Sequence, residues 1–203
     1  MSEAFEEVLS FRFPRDAAPR VTRVRSTLIA ASLHGIRNMG WEARYLAALP
    51  KELHFEMQML TAGSWVPLSV GTAHYTACEE MGLGAREMDA IGSDVSLRTQ
   101  RTFVGTLGKA VGGAGATPWL LIQNMHRIWD RMFDGGDLAA YKVGPKEGLV
   151  VLVGCTLLDI SYFRFGFLAY YRALARMLSR AAYTKESPTH RSQGRIGFRI
   201  SWV

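Results

Sequence analysis

Leu138-Ala-Ala-Tyr-Lys-Val-Gly-Pro-Lys-Glu-Gly-Leu-Val-Val-Leu-Val-Gly154 is where the hydrophobic period of this chain changes from helical spacing to two. Leu138 to Val143 and Leu149 to Gly154 read as strands, and Gly144-Pro-Lys-Glu-Gly148 reads as the hairpin turn between them. Beyond it, Phe163, Phe167, Tyr170, Tyr171, Leu174, Met177 and Leu178 predict a buried helical stripe from about Tyr162 to Arg180. A second hairpin follows. In its last strand Ile196, Phe198, Ile200 and Trp202 face in, while Arg195, Arg199 and Ser201 face out. The result is β-β-α-β-β, an antiparallel sheet with helices packed on one face.

Upstream the pattern is helical. Val8 to Phe13 reads as a short strand, and Ser26 is expected to cap a helix reaching about Arg37. Glu42 to Leu49 stops at Pro50, and Lys51 to Leu60 looks helical. Pro67 opens a helix with Val70, Ala73, His74, Ala77 and Met81 on one face. Ala85 to Lys109 follows, with Met88, Ile91, Val95, Thr99, Phe103 and Leu107 inward. Thr117 and Pro118 supply an N-cap and a first-turn proline for a helix running to about Phe133. The fold class is therefore α+β, a helical N-terminal half followed by β-β-α-β-β. Residues 1–19 read as an extension or edge strand, and 20–203 as a single domain.

With 203 residues, 48% of them hydrophobic, the chain can bury a substantial core. No apolar run reaches the roughly 18 residues of a membrane span; Gly148 to Leu158 is too short. Met1 to Val8 is acidic and lacks the basic and apolar regions of a signal peptide. Cys78 and Cys155 are far apart, which argues against a disulfide framework and suits a reducing compartment. The expected location is cytoplasmic. The net charge of +6 comes with arginines near both ends but with no nucleic-acid motif, so it reads as solvated surface.

Motifs for chemistry fail on inspection. Gly105-Thr-Leu-Gly-Lys-Ala110 has the wrong glycine spacing for a phosphate loop and lacks its Ser/Thr. Gly112-Gly-Ala-Gly115 has no βαβ unit around it. His54-Phe-Glu56 lacks the Pro-Cys-x-x-Cys of a zinc deaminase. The expectation is a non-enzymatic protein without a cofactor.

What remains is a set of aromatics and histidines on helical faces. His126 lies on the flank of an apolar face, with Trp119, Ile122, Trp129 and Phe133 on the same side. One polar nitrogen in a greasy wall is how ligand pockets are often lined. The alternative is a boundary histidine bonded to a backbone carbonyl. His74 shares a face with Val70, Ala77 and Met81, where a satisfied core histidine is the plainer reading. Phe163 and Phe167 complete the candidate pocket, and ordinary core is again their alternative.

Val24-Arg-Ser-Thr-Leu28, Ala48-Leu-Pro50, Ser64-Trp-Val-Pro67, Trp129 to Gly136 and Phe198-Arg-Ile-Ser-Trp202 occur in an order that resembles one superfamily. It holds the haem nitric-oxide/oxygen-binding (H-NOX) domains, the four-vinyl-reductase-like sensors and related Golgi transport subunits. The nearest likeness is to an uncharacterised, mainly myxobacterial family of about 200 residues, one domain in length. The resemblance covers about residues 20 to 203. It implies a helical half and an antiparallel sheet around an apolar pocket, commonly in a homodimer, with sensing or scaffolding as the role. It also places His126, nine residues before Gly135, near the haem branch's proximal histidine. That branch holds the propionates with Tyr-x-Ser-x-Arg, whereas Ile160-Ser-Tyr-Phe-Arg164 keeps only the arginine. The zinc-binding cysteines of the four-vinyl-reductase-like branch are missing from Ser187 to Gln193.

Three readings follow. The first is a sensory module enclosing a small apolar ligand and signalling through a dimer or partner surface. The second is a haem-based gas sensor with His126 as axial ligand. The third is a structural subunit with a filled core, using the arginine face of the Tyr162 helix for a partner.

Overall fold

The computed structural model describes residues 5–14, 17–107 and 116–203, the side chains of 99–107 excepted. Strands β5 (Asp137–Gly144) and β6 (Glu147–Val153) form the first hairpin, and β7 (Ala182–Ser192) and β8 (Arg195–Trp202) the second. Helix α8 (Ser161–Arg176) joins them. With β1 (Glu6–Leu9) on the edge, the sheet order is β1-β5-β6-β8-β7, antiparallel throughout. The alternation in β8 is obeyed: Ile196, Phe198, Ile200 and Trp202 are buried and Arg199 is exposed.

β6 is apolar at every position from Leu149 to Val153 because both of its faces are covered. Val150 and Leu152 join the main core. Leu149, Val151 and Val153 meet Phe5, Phe11 and Ala18 of the N-terminal segment on the far side. That segment is latched at Asp137, a fully buried carboxylate. It accepts from the Phe13 N–H (3.0 Å), the Leu138 N–H (2.9 Å) and Arg12 Nε (3.3 Å). The expected strand Val8 to Phe13 therefore stops at Leu9: Arg12 and Phe13 turn out of the ladder toward Asp137.

The helical half comprises α1 (Ser26–Asn38), α2 (Glu42–Ala48), α3 (His54–Gln58), α4 (Leu68–Glu80), α5 (Ala85–Leu107), α6 (Pro118–Gln123) and α7 (Met125–Trp129). A three-stranded sheet absent from the sequence reading ties the halves together. In it β2 (Arg23–Arg25) lies between β3 (Trp65–Pro67) and β4 (Phe133–Asp134). Val24 faces Val66 on one side and Phe133 on the other.

Other local expectations are corrected. Ser26 is no cap; its Oγ donates to the Thr61 carbonyl (2.7 Å) and accepts the Ser64 N–H (2.9 Å), pinning the loop before β3. Thr117 makes no side-chain cap bond. The helix expected from Thr117 to Phe133 breaks at Asn124, whose Nδ2 donates to the Leu120 carbonyl (2.9 Å) and competes with the helical ladder. Phe133 consequently leaves the helix for β4. Helix α8 ends at Arg176 rather than Arg180. The expected inward positions Thr99, Phe103 and Leu107, and the run Gly108 to Gly115, lie outside the described side chains or residues. Among the described residues no helix is long and apolar enough to cross a membrane.

Candidate functional site

α5 crosses α8 where Gly92 meets Gly166. A Cβ on Gly92 would come within 2.7 Å of the Gly166 Cα and 2.8 Å of the Ala169 Cβ, so the two backbones touch with no side chain between them. Such close contact at one point leaves the flanking side chains to fill the wedge on either side. Toward α1 and α4 they leave a cavity of about 40 Å³. Its walls are mostly apolar, with Met88, Ile91, Met132, Phe163 and Phe167 prominent.

Four hydroxyl residues also line it: Ser32 on α1, Tyr75 on α4, and Tyr162 and Tyr170 on α8. Two of them end a buried polar chain. Tyr45 Oη lies 2.9 Å from His74 Nδ1, His74 Nε2 lies 3.0 Å from Ser32 Oγ, and Ser32 Oγ lies 3.0 Å from Tyr162 Oη. His74 is fully buried, and burial lowers its pKa from 6.5 to about 3. Its imidazole is therefore neutral, with one nitrogen donating and the other accepting. The chain is satisfied internally, which is how a buried histidine is tolerated.

Cys78 Sγ lies 3.7 Å from His74 Nε2, the residue pair of a thiol nucleophile and its base. The electrostatics are opposite to that chemistry. Burial pushes the Cys78 thiol well above its ordinary value, and Cys155 up to about 12. A reactive cysteine is instead partly exposed with a lowered pKa. Among the described residues no group of three or more His, Cys, Asp or Glu side chains is arranged to hold a metal.

The residues expected to form a pocket separate into four places. Phe163 and Phe167 stand on the cavity wall, stacked with centroids 5.4 Å apart. Trp129 and Phe133 pack behind them, Phe133 at 6.2 Å from Phe163 and Trp129 at 4.3 Å from Phe133. His74 reaches the cavity only through Ser32.

His126, Trp119 and Ile122 lie elsewhere, against the sheet. His126 Nε2 donates to the Leu138 carbonyl (2.8 Å) and sits 3.4 Å from Asp137 Oδ1. Trp119 Nε1 donates to the Pro145 carbonyl, and its ring packs edge-on against Trp202. Ile122 sits under Gly148, where a Cβ would come within 2.7 Å of its Cδ1.

Arg164, the surviving arginine of the propionate pattern, is buried and engaged. It donates to the Leu158 and Asp159 carbonyls (3.1 Å each) and to Ser161 Oγ (3.1 Å), and pairs with Glu186 at 3.3 Å. Arg172, expected on an open arginine face, is paired with Asp89 of α5 at 2.5 Å.

The sequence reading missed Ser32, Tyr75 and Tyr162 as cavity residues. The helical period put Tyr75 beside His74, but only the meeting of four helices makes it a wall.

No family model matches the chain, and no curated protein matches it. Solved structures do. An Fe(II) unliganded H-NOX protein from K. algicida superposes with a TM-score of 0.62 at 8% identity, over 88% of this chain and 96% of that one. An oxygen-binding H-NOX domain related to soluble guanylate cyclases gives 0.59 at 12% identity, covering 88% and 94%. A structure from work on haem distortion in the H-NOX family gives 0.58 at 13%, covering 88% and 94%. This chain has the H-NOX fold.

Proposed function

We propose that this chain is a non-enzymatic sensory domain that takes a small, uncharged, largely apolar molecule between α1, α4, α5 and α8. One observation carries the reading: an apolar cavity with hydroxyls at one side, adjoining the α5–α8 crossing. Apolar walls with a few placed polar groups are the usual form of a small-molecule site. At about 40 Å³ the cavity is small beside an apolar cavity of about 150 Å³ that binds benzene or xenon. The ligand has only a few heavy atoms, or it spreads α5 from α8 as it enters. Either way binding is felt at the helix crossing, from which a second copy or another partner reads it. Phe163 and Phe167 belong to this site, and His74 supports it through Ser32. We also read residues 20–203 as one domain and the location as cytoplasmic, where two free buried thiols remain reduced.

The second reading, a haem-based gas sensor, is favoured by the H-NOX fold and by the place of His126 ahead of the Gly135-Gly136 turn. The residues present do not fit the group. The cavity is far below the roughly 300–1,000 Å³ of ordinary cofactor and drug-sized sites. No histidine lines it. His126 Nε2 carries the hydrogen that the Leu138 carbonyl accepts, so it offers no lone pair to a metal. Arg164 has its guanidinium committed to Leu158, Asp159, Ser161 and Glu186.

Two measurements on the purified protein decide between them. The absorption spectrum after expression with haem precursor is expected to lack a Soret band. Pressurised xenon or a fragment panel is expected to raise the melting temperature. A Soret band that survives purification overturns the haem-free reading. No stabilisation by any small apolar probe overturns the binding reading in favour of a filled-core interaction subunit.

A further inference from the structure

Tyr75 differs from Ser32 and Tyr162 on the cavity wall. It is 5% exposed, its ring packs on His74 (4.7 Å), Phe163 (4.8 Å) and Tyr162 (6.2 Å), and its Oη has no hydrogen-bond partner among the described residues. Ser32 and Tyr162 are bonded to each other, and Ser32 also to His74. The Tyr75 Oη is not one of the fully enclosed polar atoms that lack a partner, so part of its surface stays open, and an unpaired phenol donor with open surface is free to bond an entering molecule. A phenol left unpaired on the wall of a mostly apolar cavity is complementary to a molecule that brings the missing partner.

We propose that the ligand of this cavity carries a single hydrogen-bond acceptor, a carbonyl or ether oxygen, which Tyr75 Oη–H binds while the alkyl remainder packs on Met88, Ile91, Phe163 and Phe167. The inference rests on the binding role proposed above and adds the chemical class. An acceptor rather than a donor follows from the phenol, which is a better donor than acceptor. A charged group is ruled out by the lining, which includes no ionisable partner other than tyrosine.

The neighbouring chain supplies a second donor. Tyr45, His74, Ser32 and Tyr162 are joined in line by three hydrogen bonds, and neutral imidazole brings the hydrogens among them to four. When the bonds run from Tyr45 toward the cavity, the fourth hydrogen sits on Tyr162, beside Tyr75, with the Cys78 sulfur, a weak acceptor, as its protein partner. A bound acceptor favours that direction, with the His74 hydrogen on Nε2.

The test uses three probes on the intact chain: xenon, isobutene and acetone. The last two have nearly the same shape and differ in a methylene against an oxygen. The readout is the methyl NMR signals of Met88 and Met132, both on the cavity wall, with the ring nitrogens of His74 as a second signal. In the wild type all three probes are expected to shift the methionine methyls. Acetone should bind about tenfold more tightly to the wild type than to Tyr75→Phe, the worth of one net hydrogen bond. Isobutene and xenon should bind both alike. Acetone should also move the His74 ring toward the Nε2–H form.

Tyr75→Phe removes a hydroxyl that bonds nothing, so it is expected to melt no lower than the wild type, and the comparison is between folded proteins. Equal binding of acetone to wild type and Tyr75→Phe, with xenon and isobutene still shifting the methyls, overturns the acceptor inference and leaves the cavity reading standing. No shift with xenon or isobutene overturns the cavity reading itself.

Discussion

Taking the protein from about pH 7.5 to about pH 5 should cost it about 2 kcal/mol of stability through His74 alone. The imidazole is fully buried, and burial lowers its pKa from 6.5 to about 3. Its contacts are Tyr45, Ser32, Cys78 and Tyr75, none of them a carboxylate that would favour the imidazolium. The depressed value fixes the sign. Well above pH 6.5 the folded and unfolded chains both hold neutral imidazole, and the contribution is complete. Below 6.5 the unfolded chain takes up a proton that the folded one refuses. Stability then falls by about 1.4 kcal/mol per pH unit. The loss levels off near pH 3, where the folded imidazole protonates as well. Urea unfolding of wild type and His74→Gln at closely spaced pH values isolates this contribution, because other titrating groups cancel in the difference. Glutamine retains a donor and an acceptor but does not titrate. A difference in unfolding free energy that stays flat from about pH 6.5 to about pH 4.5 would refute the assignment of His74 as a buried neutral base.

His126→Phe removes the bond to the Leu138 carbonyl and should cost about 1–3 kcal/mol while leaving xenon-induced stabilisation unchanged; melts with and without xenon check both, and loss of the xenon response alone would return His126 to the ligand. Gly92→Ala drives a methyl into Gly166 and should destabilise by about 1–3 kcal/mol, with the melting temperature falling about 2–4 °C for each. An unchanged melt would mean that α5 and α8 do not touch there. Arg164→Met should cost about 3 kcal/mol in denaturant unfolding, at the low end for a broken buried pair because Glu186 keeps some solvent. Neither cysteine should react with iodoacetamide in the native protein at about pH 8, since both thiols are buried with raised pKa values, and mass spectrometry reads the labelling directly.

The β-β-α-β-β half was legible because each of its elements is long enough to show a period. Leu149 to Val153 and Ile196 to Trp202 carry side chains whose burial follows directly from strand geometry. The small sheet was not legible, because two or three residues per strand cannot display alternation. Val24 reads as a strand residue only when Val66 and Phe133 are seen on either side of it. The break at Asn124 hides in sequence for another reason: its amide competes with the backbone locally, while Leu121, Ile122, Met125 and Ile128 maintain one apolar stripe across it. The pocket was half legible. Aromatic spacing picked out Phe163 and Phe167, but Ser32, Tyr75 and Gly92 come from three different helices, and no period relates them.

The position of β8 has a consequence for synthesis. It follows the other described strands in chain order, yet it lies inside the sheet between β6 and β7. A ribosome adds about 5–20 residues per second, so β6 leaves the exit tunnel seconds before its second neighbour exists. During that interval Leu149-Val-Val-Leu-Val153 is an uncovered apolar edge, the kind of segment that pairs with other chains. Nascent molecules are therefore most at risk in the interval between the exit of β6 and that of β8. A stop codon ahead of Arg195 is expected to yield an aggregating product rather than a smaller folded domain.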